Sequence, residues 1–217
     1  MKRSGNCVLL VIAHPDDEVM FFTPLLSTMS KLQQHVSILC LSNGNYEGLG
    51  NIRSSELIKS ASMFSISSKD VTIIDHPELQ DGMQNNWPTE IIADILFKHI
   101  QSTSYNVIFT FDERGVSDHP NHIATYQGVK LALHACMKQS IPVSGMKLKS
   151  LNLYRKFSGI LEILYALCCY EYVVVACGVW TALKGMYIHR SQNLFYRQIF
   201  VIISAFTYVN SFEPIVS

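Results

Sequence analysis

The sequence predicts an α/β fold: a Rossmann-like, mostly parallel, doubly wound sheet with helices on both faces and an apolar C-terminal extension. Three observations lead there. Up to about residue 150, short β-branched runs alternate with longer helical segments; each run ends in a polar or glycine-containing loop; beyond Ser150 the chain turns apolar, rich in Tyr, Phe, Leu, Val and Cys. Strands alternating with helices are the pattern of a parallel sheet. A chain of 217 residues with 48% hydrophobic content can bury a sizeable core in one domain. That core is expected over 1–150, with 151–217 as an apolar segment packed on it or facing a membrane.

The elements follow in order. Cys7 to Ala13 is a short apolar run, strand-like. Glu18 to Lys31 carries apolar residues at helical spacing: Val19, Phe22, Leu26 and Met29. His35 to Leu41, Val71 to Ile74 and Val107 to Thr110 read as three more strands, separated by helices over Ile52 to Phe64 and Thr89 to Gln101. A further helix covers Ile123 to Met137. In the last third, Gly159 to Trp180 is long enough to span a bilayer, but Glu162 and Glu171 interrupt it. Each would cost about 2.5–3.5 kcal/mol at mid-membrane. Leu194 to Val209 is similar and carries Arg197. Both stretches are read as strands and helices packed on the sheet or lying at a membrane surface.

Composition excludes some functions. Seventeen basic and seventeen acidic residues cancel, and no basic stripe appears, so the footprint of a nucleic-acid binder is missing. The six cysteines (Cys7, Cys40, Cys136, Cys168, Cys169, Cys177) form no C-x-x-C pair and fit a reducing compartment. Met1 to Asn6 leads into an apolar stretch too short for a signal peptide or membrane span. Nothing sets an oligomeric state.

In doubly wound sheets the ligand crevice lies outside the carboxyl ends of the strands. The loops there hold the unusual chemistry. His14-Pro15-Asp16-Asp17-Glu18 follows the first strand, and Pro15 forces an irregular turn. His14 and Asp17, three apart around it, can converge on one metal ion, leaving Asp16 free as the general base of a metal-assisted hydrolysis. Glu18 falls in the first helical turn, where it complements the helix dipole. The plain alternative is a capped helix start.

Asp118-His119-Pro120-Asn121-His122 follows the fourth strand and opens a helix. Two His and one carboxylate form a known catalytic zinc set, so His122 is expected to join His14 and Asp17. His119 is then free to steady an oxyanion or protonate a leaving amine. Taken alone, it could equally be a surface residue beside a proline-initiated helix.

Ala13-His14-Pro15-Asp16-Asp17-Glu18 with the later His-x-x-His resembles the PIG-L (LmbE-like) family of zinc-dependent sugar N-deacetylases. Ser42 to Tyr46, Gly48 to Arg53 with Glu56, Thr110 to Asp112, Gly115 to Ser117 and His189 to Gln192 are similar to its eukaryotic branch, over nearly the whole chain. The resemblance implies metal ligation by His14, Asp17 and His122, with Asp16 as base and His119 as oxyanion stabiliser or acid. It also implies substrate contacts from Arg53 and from Asp81 in Asp81-Gly82. An ion pair with Glu56 at i, i+3 is the rival role for Arg53, and an ordinary turn the rival for Asp81.

The resemblance further implies zinc, or another divalent transition metal, and a glycosylated phosphatidylinositol as substrate. The reaction would be removal of its N-acetyl group, the second step of GPI-anchor synthesis, at the cytoplasmic face of the endoplasmic reticulum membrane. Two departures stand out. Asn121 occupies a position where many bacterial relatives have Asp, and the chain begins almost at its first strand where eukaryotic members begin with a membrane-spanning helix. Two rival functions stay open: deacetylation of a soluble N-acetylglucosamine conjugate, and a catalytically silent sugar-lipid binding subunit that would hold no metal.

Overall fold

The structure, a computed structural model, describes residues 7–176 and 178–216. Met1 to Asn6, Cys177 and Ser217 lie outside the described residues. In chain order the elements are β1 (Cys7–Ile12), α1 (Asp17–Lys31), β2 (His35–Cys40), α2 (Gly50–Ser62), β3 (Val71–Ile73), α3 (Thr89–Ser102) and β4 (Val107–Thr110). A short turn α4 (Gly115–Asp118) precedes α5 (Pro120–Lys138), β5 (Ser144–Leu148), α6 (Leu153–Lys156) and α7 (Glu162–Cys169). The chain ends with β6 (Tyr172–Val175), α8 (Val179–Ile188), α9 (Phe195–Ile203) and β7 (Val209–Pro214).

The strands form one sheet in the order β3-β2-β1-β4-β5-β7-β6. β3, β2, β1, β4 and β5 pair in parallel, as the alternating pattern predicts. β7 joins antiparallel to both β5 and β6, so the sheet is mixed. The order reverses at β1, which pairs with β2 on one side and β4 on the other. That is the topological switch point of an open α/β sheet.

β1 is buried along its length, with Leu9, Leu10, Val11 and Ile12 wholly inaccessible. A strand covered on both faces needs no alternation, which is why it reads as an unbroken apolar run. α3 and α5 pack together, with α5 against β1, β4 and β5; α1 and α2 pack with α8. The sheet is therefore covered on both faces.

Pro24 lies inside α1, where a proline lacks a donor and disturbs the hydrogen-bond ladder. The side chain of Asn210, from β7, fills the break. Its Oδ1 accepts from the Leu25 N–H at 3.1 Å and its Nδ2 donates to the Phe21 carbonyl at 2.8 Å. Asn210 is fully buried, and these bonds satisfy backbone groups that would otherwise be orphaned.

Of the described cysteines, Cys7, Cys40 and Cys136 are buried, and Cys168 and Cys169 are exposed. Among the described residues, no helix is long and apolar enough to cross a membrane.

Candidate active site

The loops after β1 and β4 meet at the switch point. The seven predicted site residues, His14, Asp16, Asp17, Arg53, Asp81, His119 and His122, come from four separate stretches of sequence and line one cavity of about 850 Å³.

Asp17 shapes the first loop. Its Oδ2 accepts from the N–H of Ala13 at 3.1 Å and of His14 at 2.8 Å, which ties down the turn that Pro15 imposes. Its Oδ1 is thereby left facing His122 Nε2 at 3.2 Å. Between them in sequence, Asp16 has φ 119°, a conformation uncommon for a residue with a side chain. Such a constraint is characteristic of functional loops, and here the Asp16 side chain lines the cavity.

The second loop fixes His122. Its ring stacks on Phe111 with centroids 4.1 Å apart and planes within 1°. Its Nδ1 donates to the Gly115 carbonyl at 3.0 Å. Gly115 has φ +56°, and a Cβ added there would lie 2.7 Å from His122 Cβ, so this close approach requires glycine. With Nδ1 engaged by that carbonyl, Nε2 is the His122 atom turned toward the Asp17 carboxylate oxygen. An imidazole nitrogen and a carboxylate oxygen brought together in a buried site are donor types that a metal cation takes.

His14 completes the floor. Its Nδ1 lies 3.8 Å from Asp17 Oδ2, and its Nε2 lies 3.1 Å from Asp81 Oδ1 and 3.2 Å from Asn121 Oδ1. Two groups of candidate ligand atoms lie within 4.8 Å of one another: His14, Asp17 and His122, all buried, and His14, Asp81 and His119. Both offer nitrogen and carboxylate oxygen, the donors a divalent transition metal takes. The first fits better, because all three of its members are buried, whereas Asp81 and His119 are only partly so.

Arg53 does not pair with Glu56. Its Nη1 donates to Asp81 Oδ2 at 2.8 Å and to the Gly44 carbonyl at 2.9 Å, and its Nη2 donates to the Pro15 carbonyl at 2.8 Å and approaches Asp16 Oδ1 at 3.5 Å. Glu56 instead accepts from the N–H and hydroxyl of Ser191, at 3.0 and 2.5 Å. Arg53 thus clasps the first, second and third loops together. Asp81 immediately precedes a turn closed by the Asn85 N–H on the Gly82 carbonyl at 3.1 Å, and its carboxylate joins His14 to Arg53.

His119 Nδ1 accepts from the N–H of Asn121 at 3.2 Å, capping α5. Its proton is therefore on Nε2. Burial, reinforced by His122 and His14, lowers its pKa to about 4. Burial works against ionisation of Asp17, but His122 and His14 hold it well below the usual carboxylate range. Asp81 is likewise lowered to about 2, by His14 and Arg53 acting against burial. Asp16 moves the other way: burial raises it despite Arg197 and Arg53.

Three features were not predicted from the sequence. Glu18 does more than start α1: it is wholly buried, accepts from Ser60, and meets His189 Nε2 at 2.6 Å. Arg197 of α9 forms an ion pair with Asp16. Asn121 is buried, its Oδ1 near His14 and its Nδ2 donating to the Asn85 carbonyl at 3.0 Å. The available signals were His189 to Gln192, which carried resemblance without a role, and Arg197 as a lone cation in an apolar run.

Known proteins resemble this chain in the same terms. The family model described as PIG-L, GlcNAc-PI de-N-acetylase, matches residues 9–133. The N-acetylglucosaminyl-phosphatidylinositol de-N-acetylase of Bos taurus is 35% identical, covering 97% of this chain and 84% of its own. A probable N-acetylglucosaminyl-phosphatidylinositol de-N-acetylase of Dictyostelium discoideum is 32% identical, over 94% and 91%. Among solved structures, N,N'-diacetylchitobiose deacetylase from Pyrococcus horikoshii superposes with a TM-score of 0.74 at 16% identity, covering 98% of this chain and 84% of that one. At that identity the likeness speaks for the fold alone.

Proposed function

The chain belongs to the PIG-L family of GlcNAc-PI de-N-acetylases, and we propose that it hydrolyses the N-acetyl group of N-acetylglucosaminyl-phosphatidylinositol, yielding acetate and glucosaminyl-phosphatidylinositol in GPI-anchor synthesis. The observation that carries this reading is the convergence of His14, Asp17 and His122 beside a fourth group, Asp16, on one cavity floor.

In this reading His14, Asp17 and His122 hold zinc. When bound there, the ion supplies Lewis acidity toward the acetamide carbonyl and toward water. Asp16 takes the proton of the attacking water. Arg53 keeps the Asp16 loop and Asp81 in register, and Asp81, partly accessible at the cavity wall, contacts sugar hydroxyls. His119 is neutral at physiological pH with its proton on Nε2, which suits donation to a developing oxyanion. The same low pKa argues against its starting as a charged acid.

The cavity rim supports a lipid substrate. Phe157, Tyr196, Ile199, Phe200 and Ile203 line it. Around them Leu153, Tyr154, Leu161, Leu164 and Phe195 are each more than 60% exposed. Contiguous exposed apolar surface of this kind marks membrane or partner contact, and aromatic side chains suit the bilayer interface. We therefore place residues 151–217 against the cytoplasmic face of the endoplasmic reticulum membrane, with the cavity opening toward it.

The test is to incubate the zinc-loaded chain with N-acetylglucosaminyl-phosphatidylinositol and with soluble N-acetylglucosamine conjugates, following acetate and the free amine by mass spectrometry. Deacetylation of the lipid is expected. Turnover of soluble conjugates alone would favour the first rival, and neither turnover nor bound metal would favour the binding subunit.

A further inference from the structure

Among the described residues, two Lys or Arg side chains line the cavity, Arg53 and Arg197. They differ in what they have left to give. Arg53 is only 7% exposed at its side chain, and its two terminal nitrogens serve four protein acceptors. Arg197 is 23% exposed, and its Nη1 donates to Asp16 Oδ2. A guanidinium carries five N–H donors in a planar fork, so one edge can hold Asp16 while another faces the cavity.

Its position is chemically specific. Asp16, at the inner end of the ion pair, lies beside the candidate hydrolytic centre. At the outer end, the exposed part of α9 is mostly apolar: Phe195 is 76% exposed, Ile202 45% and Ile203 41%, with Tyr196, 62% exposed, also interacting with Arg197. A cation between a polar floor and an apolar rim matches a ligand whose anionic group separates a sugar from hydrocarbon. Resting on the function proposed above, we infer that Arg197 is a specificity-determining residue that binds the phosphodiester of the glycolipid while its Nη1 stays on Asp16. The fork suits two phosphate oxygens better than an ammonium would.

Arg197→Gln tests this in the zinc-loaded full chain with three substrates: N-acetylglucosaminyl-inositol, its soluble glycerophosphodiester, and the diacyl lipid. Because Arg197 also touches Asp16, both soluble substrates are expected to slow. The quantity read is their ratio. Loss of a charge-assisted contact predicts that kcat/KM for the glycerophosphodiester falls about tenfold or more beyond the loss on the phosphate-free compound. Equal losses would mean that Arg197 acts only through Asp16, and a selective loss confined to the diacyl lipid would assign it to the bilayer; either overturns the inference. Should Arg197→Gln fail to fold, calorimetry on the wild-type chain decides: glycerophosphoinositol must bind about tenfold or more tighter than inositol, and equal affinity overturns the inference. A wild-type chain that deacetylates none of the three substrates would defeat the proposed function, while the calorimetric comparison would still judge Arg197.

Discussion

Glu18 and His189 lie 171 positions apart in sequence and meet at 2.6 Å in the interior, both fully buried. Burial alone would lower the His189 pKa, but Glu18, with Asp16 and Glu56 also acting on it, raises it. A folded-state value above the unfolded one, about 6.5, gives stability that is complete below the unfolded value. That stability is lost as pH rises through the folded value. His189→Gln removes the titrating group. Wild type should exceed it by about 3 kcal/mol in urea unfolding near pH 6, and the gap should narrow by about pH 9. A gap that widens with pH would contradict the pairing.

Removing His122 takes one donor from the proposed metal set. His122→Ala should purify with sub-stoichiometric zinc by elemental analysis, and wild type should lose activity on chelation and regain it with zinc. Full metal content in His122→Ala would shift attention to the His14, Asp81 and His119 group.

Asp16→Asn preserves shape and removes the base. We expect kcat to drop by about 10²–10⁴ with bound metal unchanged. Wild-type turnover in this variant would rule Asp16 out as the proton acceptor.

Gly44 has φ +70°, and a Cβ there would lie 2.5 Å from the Arg53 guanidinium. Gly44→Ala should therefore push Arg53 off the Gly44 carbonyl and Asp81, and cost about 1–2 kcal/mol from backbone conformation alone. Thermal unfolding identical to wild type would show that the guanidinium is free to relocate.

On α9, Phe195 is 76% exposed and does not line the cavity. Phe195→Asp should weaken co-sedimentation with anionic phospholipid vesicles by about tenfold, the loss of roughly one buried aromatic side chain. Unaltered vesicle binding would remove α9 from the membrane face.

Much of this was readable in advance because it is local. β1 to β4 are short apolar runs with polar loops behind them. The helices between them show their period, with ends within a few residues of those predicted. β5 does not stand out as a strand in the sequence because Ser144, Gly145 and Lys147 interrupt its apolar character. β7 carries Asn210, Ser211 and Pro214, residues of low strand propensity that pairing with β5 and β6 holds in place. β6 lies in an apolar stretch that suits a helix equally well.

The site divides along the same line. The spacing of His14, Asp16 and Asp17 around Pro15 is enough to separate two carboxylates into different directions, and the chemistry of that trio asks for a second histidine such as His122. What Glu18, Arg53 and Arg197 do was beyond local reasoning. Glu18 looks like a helix-start acid and Arg53 like a substrate contact or half of an i, i+3 pair, yet their partners come from other loops and from the last third of the chain. Arg197 reaches Asp16 across 181 positions. The sequence by itself determined which residues are candidates for the chemistry and how Pro15 breaks the first turn among them. Only the tertiary structure decided which buried charges meet, because strand order and the antiparallel return of β7 set those distances, and no local spacing encodes them.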